Sequence, residues 1–223
     1  MTSIRRLSPA EALDVLLEGN RRFVLGAPLH PNQDAVRRSE LTTGQEPFAV
    51  VLGCSDSRLA AEIIFDQGLG ELFVVRTAGH VVGSEVLGSV EYGTNVLDCR
   101  LVVVLGHDSC GAVAAARAVV AGEAPAPGYV RDIVERVTPS VLAAQAAGLY
   151  NDSDMIDTHI RHTVDLLLDR SRVLAEQVAQ NHVGVVGLAY HLAEGKARLV
   201  TSRGIPAATA ADTPTPAAGL TRP

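Results

Sequence analysis

Residues 48–53, 72–76, 101–106 and 183–189 are apolar at nearly every position and rich in Val and Leu. A strand that is apolar toward both sides must be buried on both, so these runs predict a mainly parallel sheet of four strands with helices on both faces. The segments between them place apolar residues three and four positions apart, which predicts helices over 59–66, 84–97, 111–121, 129–147 and 153–180. Ala193-Glu194-Gly195-Lys196 reads as a hairpin turn into a fifth, antiparallel edge strand over 197–201. The fold class is therefore α/β.

Upstream of the first strand, Ser8-Pro9-Ala10-Glu11 has the form of a helix start, with Ser8 as N-cap, Pro9 in the first turn and Glu11 closing a capping box. Leu13, Leu16, Leu17, Phe23 and Val24 then form a helical stripe, which Pro28-Leu29-His30-Pro31 interrupts. A second short helix is expected over 33–43, stopped by Gly44. One domain need not cover the first stripe, so the N-terminal helices are expected to dock on a partner subunit. Residues 1–205 are expected to form one domain. Residues 206–223 are mostly Ala, Thr and Pro, too poor in large apolar side chains to order themselves, and are expected to be a disordered tail.

Composition narrows the partners. With 47% hydrophobic and 20% charged residues, the chain can build a sizeable core. A net charge of −6 gives no basic surface for phosphate backbones, which argues against nucleic acid. No apolar run approaches the roughly 20 residues of a membrane helix, and the N-terminus lacks a signal-peptide core, so no membrane is expected and the cytoplasm is the expected location. Cys54, Cys99 and Cys110 are too few, and odd in number, for a disulfide framework. They read as reduced thiols.

Two of those thiols stand in matching places. Val51-Leu52-Gly53-Cys54-Ser55-Asp56-Ser57-Arg58 and Val104-Leu105-Gly106-His107-Asp108-Ser109-Cys110-Gly111 are both β-branched runs that end in metal-ligand side chains. Ligands of an open parallel sheet collect at strand C-termini where the strand order reverses, so the two turns are expected to share one crevice. Cys54, His107 and Cys110 supply two thiolates and an imidazole, which suit Zn2+, and three ligands leave a fourth position for water. Asp56 could itself reach the metal. If Arg58 holds it in a bidentate pair, the fourth position opens and Asp56 can orient water; if Arg58 lets go, Asp56 can close the site. Cys99 reads as a small buried hydrophobe and the six other histidines as surface or hydrogen-bonded side chains, His80 being the least unsuited to moving protons. A zinc deaminase would need His-x-Glu and two spaced cysteines, a pattern missing here. A phosphatase-like thiol site would need a phosphate-cradling loop between Cys54 and Arg58. A zinc-binding interaction module, with Asp56 as permanent fourth ligand, remains as the alternative of a different class.

Cys54-Ser55-Asp56-Ser57-Arg58 followed by Gly106-His107-Asp108-Ser109-Cys110-Gly111 resembles the β-class carbonic anhydrases. Leu17 to Phe23, Gly70 to Gly79 and Ser89 to Tyr92 are similar to that family in order and spacing, so the resemblance spans about residues 10–205. It implies reversible hydration of carbon dioxide to bicarbonate and a proton, by hydroxide formed at one Zn2+ per subunit, with Asp56 and Arg58 as the catalytic pair. It implies a homodimer or homotetramer with pockets built across the subunit boundary. Gln45 matches the substrate-orienting glutamine, Phe73 and Tyr92 the pocket wall, and Gly111 the glycine after the second cysteine; Gln45, Phe73 and Tyr92 would come from the partner. Hydrolysis of carbonyl sulfide or carbon disulfide on the same scaffold is the alternative within the enzyme class. Val51 stands where some family members carry a tryptophan of a regulatory bicarbonate site, which argues against that site here even though Arg76 matches another of its residues.

Overall fold

The computed structural model describes residues 7–205. All four apolar runs become strands: β1 (Ala49–Cys54), β2 (Leu72–Thr77), β3 (Leu101–His107) and β4 (Gly184–His191). β1 and β3 are buried at every residue, as their unbroken Val and Leu content requires. β5 (Lys196–Arg203) follows the hairpin closed by the Gly195 N–H to the His191 carbonyl at 2.8 Å. The order is β2-β1-β3-β4-β5, parallel but for the β4–β5 pair. From β1 the chain moves outward to β2 and then returns to the other side of β1 for β3. The order therefore reverses between the C-terminal ends of β1 and β3, where the two ligand turns lie.

Before the sheet come α1 (Pro9–Val24) and α2 (Ala35–Glu40). The capping box of α1 is complete, with Ser8 Oγ accepting from Glu11 N at 3.3 Å and Glu11 Oε2 from Ser8 N at 2.9 Å. The stripe of α1 is largely covered by its own chain, because Leu13 and Leu16 are buried and Asn20 bonds the Ile64 and Gly195 carbonyls and the Ala197 N–H. Gly19 permits this approach; a Cβ there would lie 1.8 Å from the Phe65 carbonyl oxygen. By contrast α2 buries no residue.

The connections contain α3 (Ala61–Ile64), α4 (Ser84–Glu91), α5 (Gly111–Val120), α6 (Val130–Ala146), α7 (Asp152–Arg170) and α8 (Arg172–Ala179). Ile160 and Val164 of α7 press on Gly106 and Gly187 at one face of the sheet. Gly184, three residues before Gly187 and so turned the other way, meets Pro9 of α1. Helices thus cover both faces.

Three expected helices change at their ends. Residues 59–66 give only the single turn of α3. Residues 84–97 give α4 and then a π turn, Tyr92–Val96, in which Gly93 lets Val50 come close. Residues 153–180 divide at Ser171, whose backbone is extended and whose hydroxyl caps α8 by accepting from Leu174 N at 3.1 Å. The apolar periodicity runs through this break, so it masks the cap. Among the described residues no helix is long and apolar enough to cross a membrane. The expected tail, 206–223, lies outside the described residues.

Candidate metal centre

Cys54 is the last residue of β1, His107 the last of β3, and Cys110 the N-cap of α5. The parallel register that sets Gly53 beside Leu105 carries the two turns to the same height. The donor atoms of Cys54, His107 and Cys110 all lie within 4.8 Å of one another, and all three side chains are buried. Ligands around a tetrahedral zinc stand about 3.5–4 Å apart, so the set needs only slight contraction to grip an ion.

Backbone groups prepare each ligand. His107 Nδ1 lies 2.8 Å from the Asp108 carbonyl oxygen, which can only accept. The ring therefore carries its proton on Nδ1 and turns the Nε2 lone pair inward, as a metal-ligating histidine does. That Nε2 is buried and has no hydrogen-bond partner among the described residues. An orphaned acceptor between two thiols is costly unless something fills the space, and a zinc ion fits. The donor chemistry therefore fits the metal. Asp108 is itself held, its N–H on the Tyr190 carbonyl at 3.2 Å and its Oδ1 accepting from Leu192 N at 3.0 Å.

The two sulfurs act on each other. Hydrogen bonding from the Cys110 thiol and from the N–H groups of Asp56 and Gly79, with His107 close by, holds Cys54 well below the usual thiol range in spite of burial. The same hydrogen bond to Cys54, and then burial, push Cys110 far up, although the first N–H groups of α5 oppose this. Against burial, contact with the Cys54 thiolate raises His107.

Asp56 turns both carboxylate oxygens to Arg58. Oδ1 accepts from Arg58 N and Nε, each at 2.9 Å, and Oδ2 accepts from Nη2 at 2.7 Å. This fork holds the Asp56 carboxyl well below the usual carboxylate range, with the Arg58 side chain the main cause. Asp56 still faces the ligand set, with Oδ2 4.0 Å from His107 Nε2.

Arg76 shapes the first turn: Nε donates to the Cys54 carbonyl at 3.0 Å and Nη2 to the Asp56 carbonyl at 2.7 Å. Its place opposite Gly53 in the β1–β2 pairing is the signal that finds it. Gly79, at φ 63°, donates its N–H to Cys54 Sγ at 3.3 Å. Cys99 is buried with its thiol on the Pro47 carbonyl, as a small hydrophobe would be, and burial pushes it up to about 12.

Not every expected site residue joins this cluster. Gly111 opens α5 beside Cys110, with nothing within 4 Å of the position a Cβ would take. Gln45 is exposed. Phe73 and Tyr92 meet each other, ring centroids 5.9 Å apart, but Phe73 pairs with Val50. That is four residues before Cys54, about 13 Å along a strand. Within one chain Phe73 and Tyr92 do not line the metal site.

A family model described as carbonic anhydrase matches residues 49–197. "Carbonic anhydrase 2" of Mycobacterium tuberculosis is 52% identical over 192 residues, 86% of this chain and 93% of its own. The "Carbonic anhydrase" of Mycolicibacterium smegmatis is 54% identical over 193 residues, with the same two shares. Among solved structures, one of the two tetrameric β-carbonic anhydrases of Sordaria macrospora is similar in fold, with a TM-score of 0.65 at 19% identity over 74% of this chain and 86% of that one.

Proposed function

This chain belongs to the β-class carbonic anhydrase family, and from that premise we propose how its own residues carry the reversible hydration of carbon dioxide to bicarbonate and a proton. Cys54, His107 and Cys110 would hold one Zn2+ per subunit. Zinc, when bound, supplies a Lewis acid that lets a water molecule lose a proton near neutral pH. The observation that carries the reading is the buried His107 Nε2, unpartnered between two thiols among the described residues.

Asp56 is assigned as the acceptor that orients the attacking water, and Arg58 as the group that keeps it ionised and away from the ligand set. The bidentate Asp56–Arg58 pair supports this over a non-catalytic module that would need Asp56 as a standing fourth ligand. Gly111 leaves room beside Cys110 for substrate. Gln45, Phe73 and Tyr92 are assigned to the active site of a partner subunit, which makes the enzyme a homo-oligomer with α2 and β2 near the boundary. Reduced Cys54, Cys99 and Cys110 suit a cytoplasmic location.

Stopped-flow carbon dioxide hydration on protein of measured zinc content tests the assignment. The wild type should bind one zinc per subunit and be active. Cys110→Ser should lose both metal and activity, whereas Asp56→Asn should keep the metal and lose about 10- to 100-fold in rate, the usual scale for a group that acts on a metal site without ligating it. Stoichiometric zinc with no hydration at any pH would support the interaction module instead. An equal rate on carbonyl sulfide would favour that hydrolase.

A further inference from the structure

Behind the ligand set lies a line of buried polar side chains that the reaction does not use. His159 of α7 is buried, with Nε2 2.9 Å from the Gly79 carbonyl oxygen. A carbonyl only accepts, so Nε2 carries the proton and Nδ1 bears the lone pair. Ser140 Oγ on α6 lies 2.9 Å from that Nδ1 and therefore donates to it. The serine oxygen is left to accept from the half-buried His162, whose Nδ1 is 2.8 Å away. Every proton in this line points inward: His162 to Ser140, Ser140 to His159, His159 to Gly79. Gly79 in turn donates its own N–H to Cys54 Sγ.

Gly79 needs such a clamp. It sits at φ 63°, in the left-handed region, and its missing Cβ leaves the space that Ala112 occupies 2.6 Å away. Its neighbour His80 stacks on His159, ring centroids 4.4 Å apart. The Gly79 N–H and carbonyl lie on the two peptide planes that meet at its Cα, so anchoring the carbonyl restrains the glycine from the far side and limits the rotation that would turn the N–H away from the sulfur. Burial lowers His159 to about 4, which favours the neutral ring that the bonds to Gly79 and Ser140 require.

We propose that His159 is a positioning residue of the metal site: by holding the Gly79 carbonyl it keeps the Gly79 N–H aimed at the Cys54 thiolate, and Ser140 fixes the tautomer that lets it do so. The proposal rests on the reading of Cys54 as a metal ligand. A thiolate that accepts an N–H bond is less electron-rich, so this line of side chains sets the donor strength of one ligand from more than one hydrogen bond away.

The test replaces zinc with 113Cd in the full chain and looks by NMR for coupling between cadmium and the Gly79 amide proton through the N–H···S bond. Cadmium stoichiometry is measured alongside. Wild type should bind one ion and show the coupling. His159→Leu should lose it, and so should His159→Asn, whose amide keeps Ser140 in reach but is too short for the Gly79 carbonyl. His159→Gln places an N–H where Nε2 stands and should restore it. With Co2+ in place of zinc, the thiolate charge-transfer band should move to longer wavelength in the Leu and Asn variants and return in the Gln variant. Unchanged coupling and cobalt band in whichever of Leu and Asn folds would overturn the proposal, as would a Gln variant that loses both signals. Failure of the wild type to bind any ion would instead overturn the underlying assignment of Cys54.

Discussion

Among the described residues His107 Nε2 is buried without a hydrogen-bond partner, and the thiols beside it hold a proton that a metal must displace. Zinc uptake must expel that proton, so binding tightens as pH rises, and metal bound only by the folded chain stabilises it. At free zinc one thousandfold above its dissociation constant the gain is about 4 kcal/mol. For a chain of this size that is a rise in melting temperature of roughly 8–16 °C. Calorimetry with and without a chelator should show this rise in the wild type and little of it in Cys110→Ser; equal rises would place the metal elsewhere. The ligands and the Asp56–Arg58 pair are legible in the sequence because metal binding and bidentate pairing demand particular side chains at short spacing. The contributions of Arg76, Gly79 and Asp108 are not, because each acts on or through a backbone N–H or carbonyl, which every residue possesses. Only the strand register brings those groups to the site.

Among the elements, the clearest dependence of one on another runs through Asp66. The single turn of α3 ends just before it, and Asp66 stands at φ 47° with a buried carboxylate. That carboxylate accepts from Arg22 Nε of α1 at 2.6 Å and from the N–H groups of Leu29 and His30, each at 2.9 Å. It therefore ties α1, the loop after it and the β1–β2 connection together. Burial alone would push its pKa up, but the bonds from Leu29, Arg22 and His30 outweigh burial and hold it below the ordinary value of 3.8. A depressed carboxylate stabilises the fold fully above its unfolded pKa and loses that contribution as pH falls through the folded one. Asp66→Asn sets an amide donor against three donors and should cost on the order of 3 kcal/mol, as for a broken buried pair. Urea unfolding should show that gap constant from about pH 5 to 8 and narrowing below about pH 4, where Asp66 of the unfolded chain begins to protonate ahead of the folded one. A gap that widened in acid would refute the role. Element existence followed from apolar period, whereas the ends of α3 and α7 depended on Asp66 and Ser171, polar residues whose partners are distant in sequence.

At the scale of the whole molecule the sheet is uneven. β1, β3 and β4 are buried almost throughout, yet β2, with the same apolar run Leu72-Phe73-Val74-Val75, is only half-buried at the edge. Ile63, Leu69, Tyr92 and Val96 are exposed, and so are Leu29 and, within α2, Val36. An exposed parallel edge of this composition favours association. Phe73 and Tyr92 lie at that edge rather than at the metal site of their own chain, so a second copy that covered the edge would account for both facts. Tyr92 is 45% exposed, and replacing it should leave the subunit's own core intact. Tyr92→Asp puts a charge where an apolar boundary is proposed, and an unpaired buried charge costs several kcal/mol. Sedimentation equilibrium should show the wild type as an even-numbered oligomer and the variant shifted toward the 23.4 kDa chain. Zinc content should stay at one per subunit, since Cys54, His107 and Cys110 come from one chain, while hydration falls about 10-fold or more for want of the neighbour's pocket wall. A wild-type chain that sediments as a fully active monomer would show instead that the pocket is complete in one subunit.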